Sequence, residues 1–379
     1  MNLLFITAEY PPERCGGIGI FYQDLARQLA RRGCRVTVVA PSGGAGADTF
    51  EGTLTVRRWP DSLVAANAAG MLLQRLRFTQ FAQNVARDLS PDLIETHDWS
   101  GPLTAPPGRP FVIRLHGAHS VRRAQLNQRP SSPIRLLERR LLQGANAVVA
   151  VSNWIGRQTA KVFGITQPIA VIPNGVDTLK FRRLPVVRSD HELLFVGTIK
   201  PEKGVFELFR ALPLIWSRHP ELMVRIVGPE TSGVTERLLA SIPASLWSQV
   251  RFEGAVEHDR LPAIYSAATL CAVPSLAEAF GLTMAEAMSC GAPVVGSSLA
   301  AGPDLAENGR DALLIDPRDV QAFAWAALQC LDDAALRDRL SREARQQALR
   351  RFSWDVVAEQ NKQFYSQIIQ GARKWPKSA

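Results

Sequence analysis

Short apolar runs rich in β-branched residues alternate with helix-periodic segments along this chain, and the alternation occurs twice. Such a rhythm specifies parallel α/β architecture, because each strand must be followed by a crossover helix before the next parallel strand. In the first half the strands are expected at residues 3–7, 36–40, 93–96, 111–115, 147–151 and 169–172. A helix at 20–33 ends on Gly33. The strands lack strict polar–apolar alternation, as expected where helices cover both faces of a sheet. Residues 173–192 interrupt the rhythm and read as a linker. A second series follows, with strands at 193–196, 224–227, 250–252, 270–273, 294–296 and 312–315 and helices at 204–218, 259–267 and 282–289. An amphipathic helix is expected over 354–370. The economical reading is two Rossmann-like domains, and 379 residues suffice for each to bury its own core.

Composition narrows the class. With 46% hydrophobic and 21% charged residues the chain is neither disordered nor fibrous. Its five cysteines are scattered without a Cys-x-x-Cys pair, which suits a reduced cytosolic protein and excludes a zinc ribbon. The N-terminus reads as a buried first strand rather than a signal peptide, and no apolar run approaches the ~20 residues of a membrane span. A cytoplasmic location is therefore expected, with peripheral membrane contact left open. Lys and Arg number 44 against 35 Asp and Glu, an excess that suits phosphorylated small molecules, anionic lipid or nucleic acid without choosing among them. No nucleic-acid module is recognisable. Residues 121–145 carry Arg122, Arg123, Arg129, Arg135, Arg139 and Arg140 against Glu138 alone, interleaved with Ile134, Leu136, Leu137, Leu141 and Leu142. The segment reads either as a solvated helix face or as a contact for an anionic bilayer.

Three motifs can carry chemistry. Arg14-Cys15-Gly16-Gly17-Ile18-Gly19 lies between the first strand and the first helix, where glycines let backbone N–H groups approach a phosphate. A nicotinamide fingerprint fits poorly, because residues 9–14 intervene after the strand and the second strand ends in Ala40-Pro41 rather than an acid. The second motif, Gly197-Thr198-Ile199-Lys200-Pro201-Glu202-Lys203-Gly204, delivers two lysines from a strand end to a helix start, the ligand side of an open α/β sheet. The third and most specific runs from Pro274 through Glu278, Phe280-Gly281-Leu282-Thr283 and Glu286 to Val295. There a helix start would offer N–H groups to an anion, which would leave Glu278 to hydrogen-bond sugar hydroxyls and Glu286 to grip a ribose. His97-Asp98-Trp99 is a poor metal candidate and reads as an acceptor-side loop or a structural turn.

These motifs, with Leu115-His116-Gly117, Val151-Ser152 and Pro173-Asn174-Gly175-Val176-Asp177 in the same order, resemble the family 4 retaining glycosyltransferases over nearly the whole chain. The resemblance implies the α/β GT-B fold: two Rossmann-like domains with parallel sheets facing across a cleft, and a C-terminal helix crossing back to the N-terminal domain. The domains would be an acceptor-binding 1–172 with returning helix 355–379, the linker 173–192 and a nucleotide-sugar-binding 193–354. It implies His116, Lys203 and Glu278 as the catalytic set, and a donor site of Gly16, Gly17, Arg14, Thr198, Lys200, Lys203, Gly228, Val256, Glu278, Phe280, Gly281, Leu282, Thr283 and Glu286. His97, Asp98 and Ser152 would lie on the acceptor side.

The co-substrate implied is a UDP- or GDP-linked sugar, the acceptor a saccharide, a lipid-linked sugar or a small molecule, with no metal and no other cofactor. One departure stands out. The family usually places arginine where this chain has Thr198, and a hydroxyl cannot give phosphate a bidentate charged contact. Lys200 or Arg14 would have to replace it. An epimerase of the same fold and an inactive homologue acting as a binding partner are the remaining alternatives.

Overall fold

A computed structural model describes residues 1–13, 16–43, 47–61, 63, 68–98, 101–125 and 128–374. The chain forms two units, Met1–Gly175 with the terminal helix, and Val176–Ser353. The first contains β1 (Asn2–Ile6), α1 (Gly17–Arg31), β2 (Arg35–Pro41), β3 (Thr49–Glu51), β4 (Leu54–Trp59), α2 (Ala68–Leu89), β5 (Leu93–His97), β6 (Phe111–Leu115), α3 (His119–Gln125), α4 (Ser132–Gln143), β7 (Ala147–Ala150), α5 (Asn153–Phe163) and β8 (Ala170–Val171). Its sheet runs β3-β4-β2-β1-β5-β6-β7-β8 and is parallel except for the β3–β4 hairpin. That hairpin, which is not among the strands expected from the sequence, turns at Gly52, whose φ of +60° a side-chain-bearing residue adopts reluctantly.

The second unit contains β9 (Glu192–Val196), α6 (Val205–Trp216), β10 (Met223–Val227), α7 (Val234–Leu239), β11 (Val250–Gly254), α8 (Leu261–Ala267), β12 (Leu270–Val273), α9 (Leu282–Ser289), β13 (Val294–Ser297), α10 (Gly302–Leu305), β14 (Leu313–Ile315), α11 (Val320–Asp332) and α12 (Ala334–Arg351). Its wholly parallel sheet has the order β11-β10-β9-β12-β13-β14. The strand order therefore reverses between β9 and β12, and the loops leaving those two strands diverge from a common crevice.

The expected linker is not one. The chain passes between units at Gly175, and the following residues pack into the second unit. Phe181 is buried, and its carbonyl accepts from Ser289 Oγ at 2.6 Å and Arg345 Nη1 at 2.9 Å. Proline, glycine and charge marked a break in periodicity, which a packed irregular segment shows as readily as a free one.

The terminal helix α13 (Trp354–Lys374) belongs to the first unit and packs on α1. Its anchor is polar. Arg114 on β6 grips Glu95 on β5 through two bonds, Nε to Oε1 at 2.7 Å and Nη2 to Oε2 at 3.2 Å, and both side chains are fully buried. Tyr365 Oη on α13 donates to Glu95 Oε2 at 2.8 Å, Tyr22 Oη donates to Oε1 at 3.2 Å, and Arg114 also donates to Asn361. Around this centre Phe5, Tyr22 and Tyr365 form tilted ring contacts. Removing one partner of a buried ion pair strands the other charge. Arg114→Leu should therefore destabilise the protein by about 3–5 kcal/mol in denaturant unfolding. Adding Glu95→Gln should return part of that loss, and a strictly additive double-variant cycle would contradict the coupling.

Candidate active site

In the second unit the crevice is built by close backbone approach. Gly197 N donates to the Val227 carbonyl at 2.9 Å, and a Cβ on Gly228 would stand 2.0 Å from the Gly197 carbonyl oxygen. Lysine-bearing residues 200–203 turn tightly and end at Gly204, with φ at +71°. A Cβ there would lie 1.8 Å from the Pro274 carbonyl oxygen, so only glycine lets the β9 loop touch the end of β12. Leu276 and Ala277 donate their N–H groups to the Glu202 carbonyl at 3.0 and 3.3 Å, joining the two loops further.

Lys203 and Glu278, 75 residues apart, meet through this junction as a half-buried ion pair. Beside them α9 starts at Gly281, whose φ of +103° ends the loop, and among the described residues no side chain is seen to cap its first N–H groups. Leu282 and Thr283 occupy that uncapped turn and are half-buried. A lysine, a carboxylate and a free helix N-terminus at a switch point suit a diphosphate and the hydroxyls next to it. Phe280 contributes backbone only, because its ring is buried edge-on to Phe352 at 5.7 Å. Thr198 and Lys200 sit half-buried on the same β9 loop. Val256 is half-buried in the loop after β11.

Glu286, one turn deeper in α9, accepts from Tyr265 Oη at 3.3 Å and lies 3.0 Å from His258 Nε2. Burial, then the Glu286 charge, hold the Tyr265 phenol well above its ordinary pKa, so it serves as a fixed donor. His258 and Tyr265 were missed from the sequence. Neither lies in a motif: the packing of α8 on α9 brings Tyr265 to the glutamate, and the short turn 258–260 leading into α8 brings His258.

In the first unit the glycine loop holds an anion of its own. Glu9 accepts from Gly16 N at 2.9 Å and from Gly19 N at 3.1 Å, which places a carboxylate on the N-terminus of α1. A Cβ on Gly16 would press to 3.2 Å from Glu9 Oε1, so this glycine admits the carboxylate directly. Gly17 is the first residue of the helix. Arg14 lies outside the described residues.

The acceptor-side residues named from the sequence are held by structural contacts within the first unit. His97 is fully buried, and its Nε2 accepts from Ala8 N at 3.2 Å beside Thr7 Oγ1 at 3.3 Å. Burial pulls its pKa to about 3, so it is a neutral tether for the end of β1. Ser152 is 1% exposed and its Oγ caps α5, accepting from Ile155 N at 3.1 Å. Asp98 is also buried and shapes the next loop, accepting from His116 N at 2.8 Å, Gly117 N at 3.1 Å and Ala118 N at 2.8 Å. Desolvation raises its pKa to about 7 against those three donors. His116 rests against Phe21, ring centroids 5.2 Å apart, and its Nε2 has no partner among the described residues. Burial, with His97 and Arg114 adding to it, holds the imidazole well below its ordinary pKa and hence uncharged.

No group of potential metal ligands lies in the crevice among the described residues; the one that exists, His191, His219 and Glu221, is elsewhere in the second unit.

Comparison with known proteins agrees with this architecture. Residues 15–180 match the family model described as Glycosyltransferase Family 4, and residues 177–347 match Glycosyl transferases group 1. The glycogen synthase of Mycobacterium tuberculosis is 28% identical over 413 aligned residues, covering 99% of this chain and 96% of that one. Among solved structures, the sucrose-phosphate synthase of Thermosynechococcus elongatus superposes with a TM-score of 0.83 at 22% identity, covering 98% of this chain and 99% of the other. Anabaena HepE, solved with UDP and glucose, gives a TM-score of 0.74 at 22% identity, with 97% and 100% coverage. The two family models together run through both units in chain order, and the structural likenesses show the fold. The chain belongs to the family 4 glycosyltransferases and has the GT-B fold.

Proposed function

We propose that the protein is a retaining, metal-independent hexosyltransferase that moves a sugar from a UDP- or GDP-linked donor to a hydroxyl acceptor in polysaccharide, glycolipid or other glycoconjugate synthesis. The observation that carries this reading is the Lys203–Glu278 pair beside the uncapped start of α9. Lys203, Lys200 and the α9 N–H groups would meet the diphosphate, Glu278 the sugar hydroxyls and Glu286 the ribose. The solved HepE complex with UDP and glucose supports a donor of that class.

In the reaction the bond from the anomeric carbon to the diphosphate oxygen breaks, and the acceptor oxygen bonds to the same face of that carbon. The leaving diphosphate takes the acceptor's proton, so no separate base is required. Catalysis then rests on positioning and on stabilising the charge of the leaving group. His116, being neutral, would contribute a hydrogen bond through Nε2 rather than a charge.

Donor binding should appear as thermal stabilisation. UDP or GDP at a hundredfold excess over its dissociation constant should add about 2.7 kcal/mol, and stabilisation by NAD alone would overturn the proposal. Lys203→Ala and Glu278→Gln should each lower kcat/KM at least ~100-fold, the scale of one lost transition-state contact. Their unfolding free energies should move by only about 0–1 kcal/mol, because the pair is partly exposed. Turnover kept by both variants would refute the site. Retention has its own readout: NMR of the newly formed linkage should show the anomeric configuration of the donor, and an inverted product would exclude the same-face mechanism.

A membrane-surface acceptor is a second proposal. Arg135, Arg139 and Arg140 are exposed on α4, and Leu136 is 52% exposed. Leu141 and Leu142 are buried and offer no apolar contact, so the attraction would be mainly electrostatic. Met71, Leu72 and Leu76 on α2 add exposed apolar area in the same unit. No helix is long and apolar enough to cross a membrane, among the described residues. The protein should float with anionic liposomes at low salt and be released by high salt; absence of binding at low salt would remove this reading.

A further inference from the structure

We propose that His191, His219 and Glu221 form a zinc-class metal site at the N-terminal edge of the sheet in the second unit. His191 Nδ1 lies 3.0 Å from Glu221 Oε1, and His219 Nδ1 lies 3.3 Å from the same oxygen. All three ligand atoms fall within 4.8 Å of one another. Tetrahedral zinc with bonds of about 2.0–2.1 Å separates its ligand atoms by about 3.3 Å, so the three need little movement to close around one ion. Two imidazoles and a carboxylate are a donor set suited to zinc, with the fourth position left to water.

The surroundings favour ligation over a chance surface cluster. His219 Nε2 lies 2.8 Å from Asp332 Oδ1, at the end of α11. A histidine that donates its far N–H to a carboxylate has its near nitrogen fixed as an acceptor, the arrangement usual behind metal-bound histidine. Asp332 is itself held, its Oδ2 lying 3.1 Å from Arg218 Nη2, so it orients His219 rather than serving as a ligand.

The backbone is equally prepared. Met223 N donates to the His191 carbonyl at 2.9 Å, which sets His191 beside the start of β10. His219 N donates to the Ile215 carbonyl at 2.9 Å, and Leu222 N to the His219 carbonyl at 3.1 Å, so the His219-Pro220-Glu221 turn is fixed at both ends. The spacing 191, 219, 221 matches no common metal motif, which is why sequence reading gave no metal ligands. The proposed site joins the start of β9, the connection from α6 to β10 and the end of α11. It lies one strand length from the catalytic loops, five residues or about 16 Å along β9. A bound ion would therefore clamp the second unit without entering the transfer reaction.

The test uses the full chain, stripped with EDTA and exchanged into metal-free buffer. Titration with zinc chloride followed by calorimetry should show one ion per chain at micromolar affinity or tighter, and zinc should raise Tm. His191→Ala and His219→Ala should each weaken binding at least tenfold and abolish the Tm rise, with glycosyl transfer unchanged. Cobalt(II) should give the visible absorption of a tetrahedral nitrogen and oxygen site. Absence of stoichiometric zinc binding, equal binding by both variants, or thiolate-to-cobalt bands pointing to the cysteines would each overturn the proposal.

Discussion

The buried pairing of Glu95 with Arg114 organises the first unit. Two opposite charges without solvent need partners for most of their lone pairs and N–H groups, and these come from distant parts of the chain; Arg114 Nη1 has no hydrogen-bond partner among the described residues, and the guanidinium lies over the Phe21 ring. Tyr22 arrives on α1, and Asn361 and Tyr365 on α13. A chain that stopped after the second unit would leave this network open. The return of the final helix to the first unit is thus a consequence of polar satisfaction as much as of apolar burial, although Val357 and Ile369 add buried area from the same helix.

In the second unit the controlling feature is closeness of backbone rather than charge. Gly204 against Pro274 and Gly228 against Gly197 bring the ends of β9, β10 and β12 nearer than side chains would allow. Lys203 and Glu278 project from loops positioned in that way, and α9 opens its N-terminus to the same crevice. A stiff backbone frame with adjustable side chains would suit the proposed exchange of that ion pair for a donor diphosphate. The first unit shows a related arrangement, in which the Glu9 carboxylate occupies N–H groups at the start of α1. Any second anion at that turn would have to share or displace it.

Where sequence reading failed, it did so for identifiable reasons. The 173–192 segment reads as a linker because irregular backbone and a free linker have the same composition; Phe181, buried under Arg345 and Ser289, shows the difference only in three dimensions. The structural work of His97, which ends β5, and of Ser152, which follows β7, is equally unmarked in the sequence: one tethers the end of β1 and the other caps α5. His258 and Tyr265 carry no local signature, since they act on Glu286 through packing between helices. Arg114 and Glu95 lie inside apolar strands, and nothing in their local pattern announces a buried pair.

The sequence by itself determined the repeated β–α alternation, the break near residue 175, and the glycine, lysine and glutamate motifs that mark strand ends and helix starts. These are local properties, set by side-chain periodicity and backbone freedom over a few residues. Only the tertiary structure decided which motif residues meet. Lys203 finds Glu278 because β9 and β12 are neighbours, Glu9 caps α1 because the loop folds back, and α13 belongs with residues up to 365 positions away. Such pairings depend on strand order and on satisfying buried polar groups, and neither is written into any short stretch of chain.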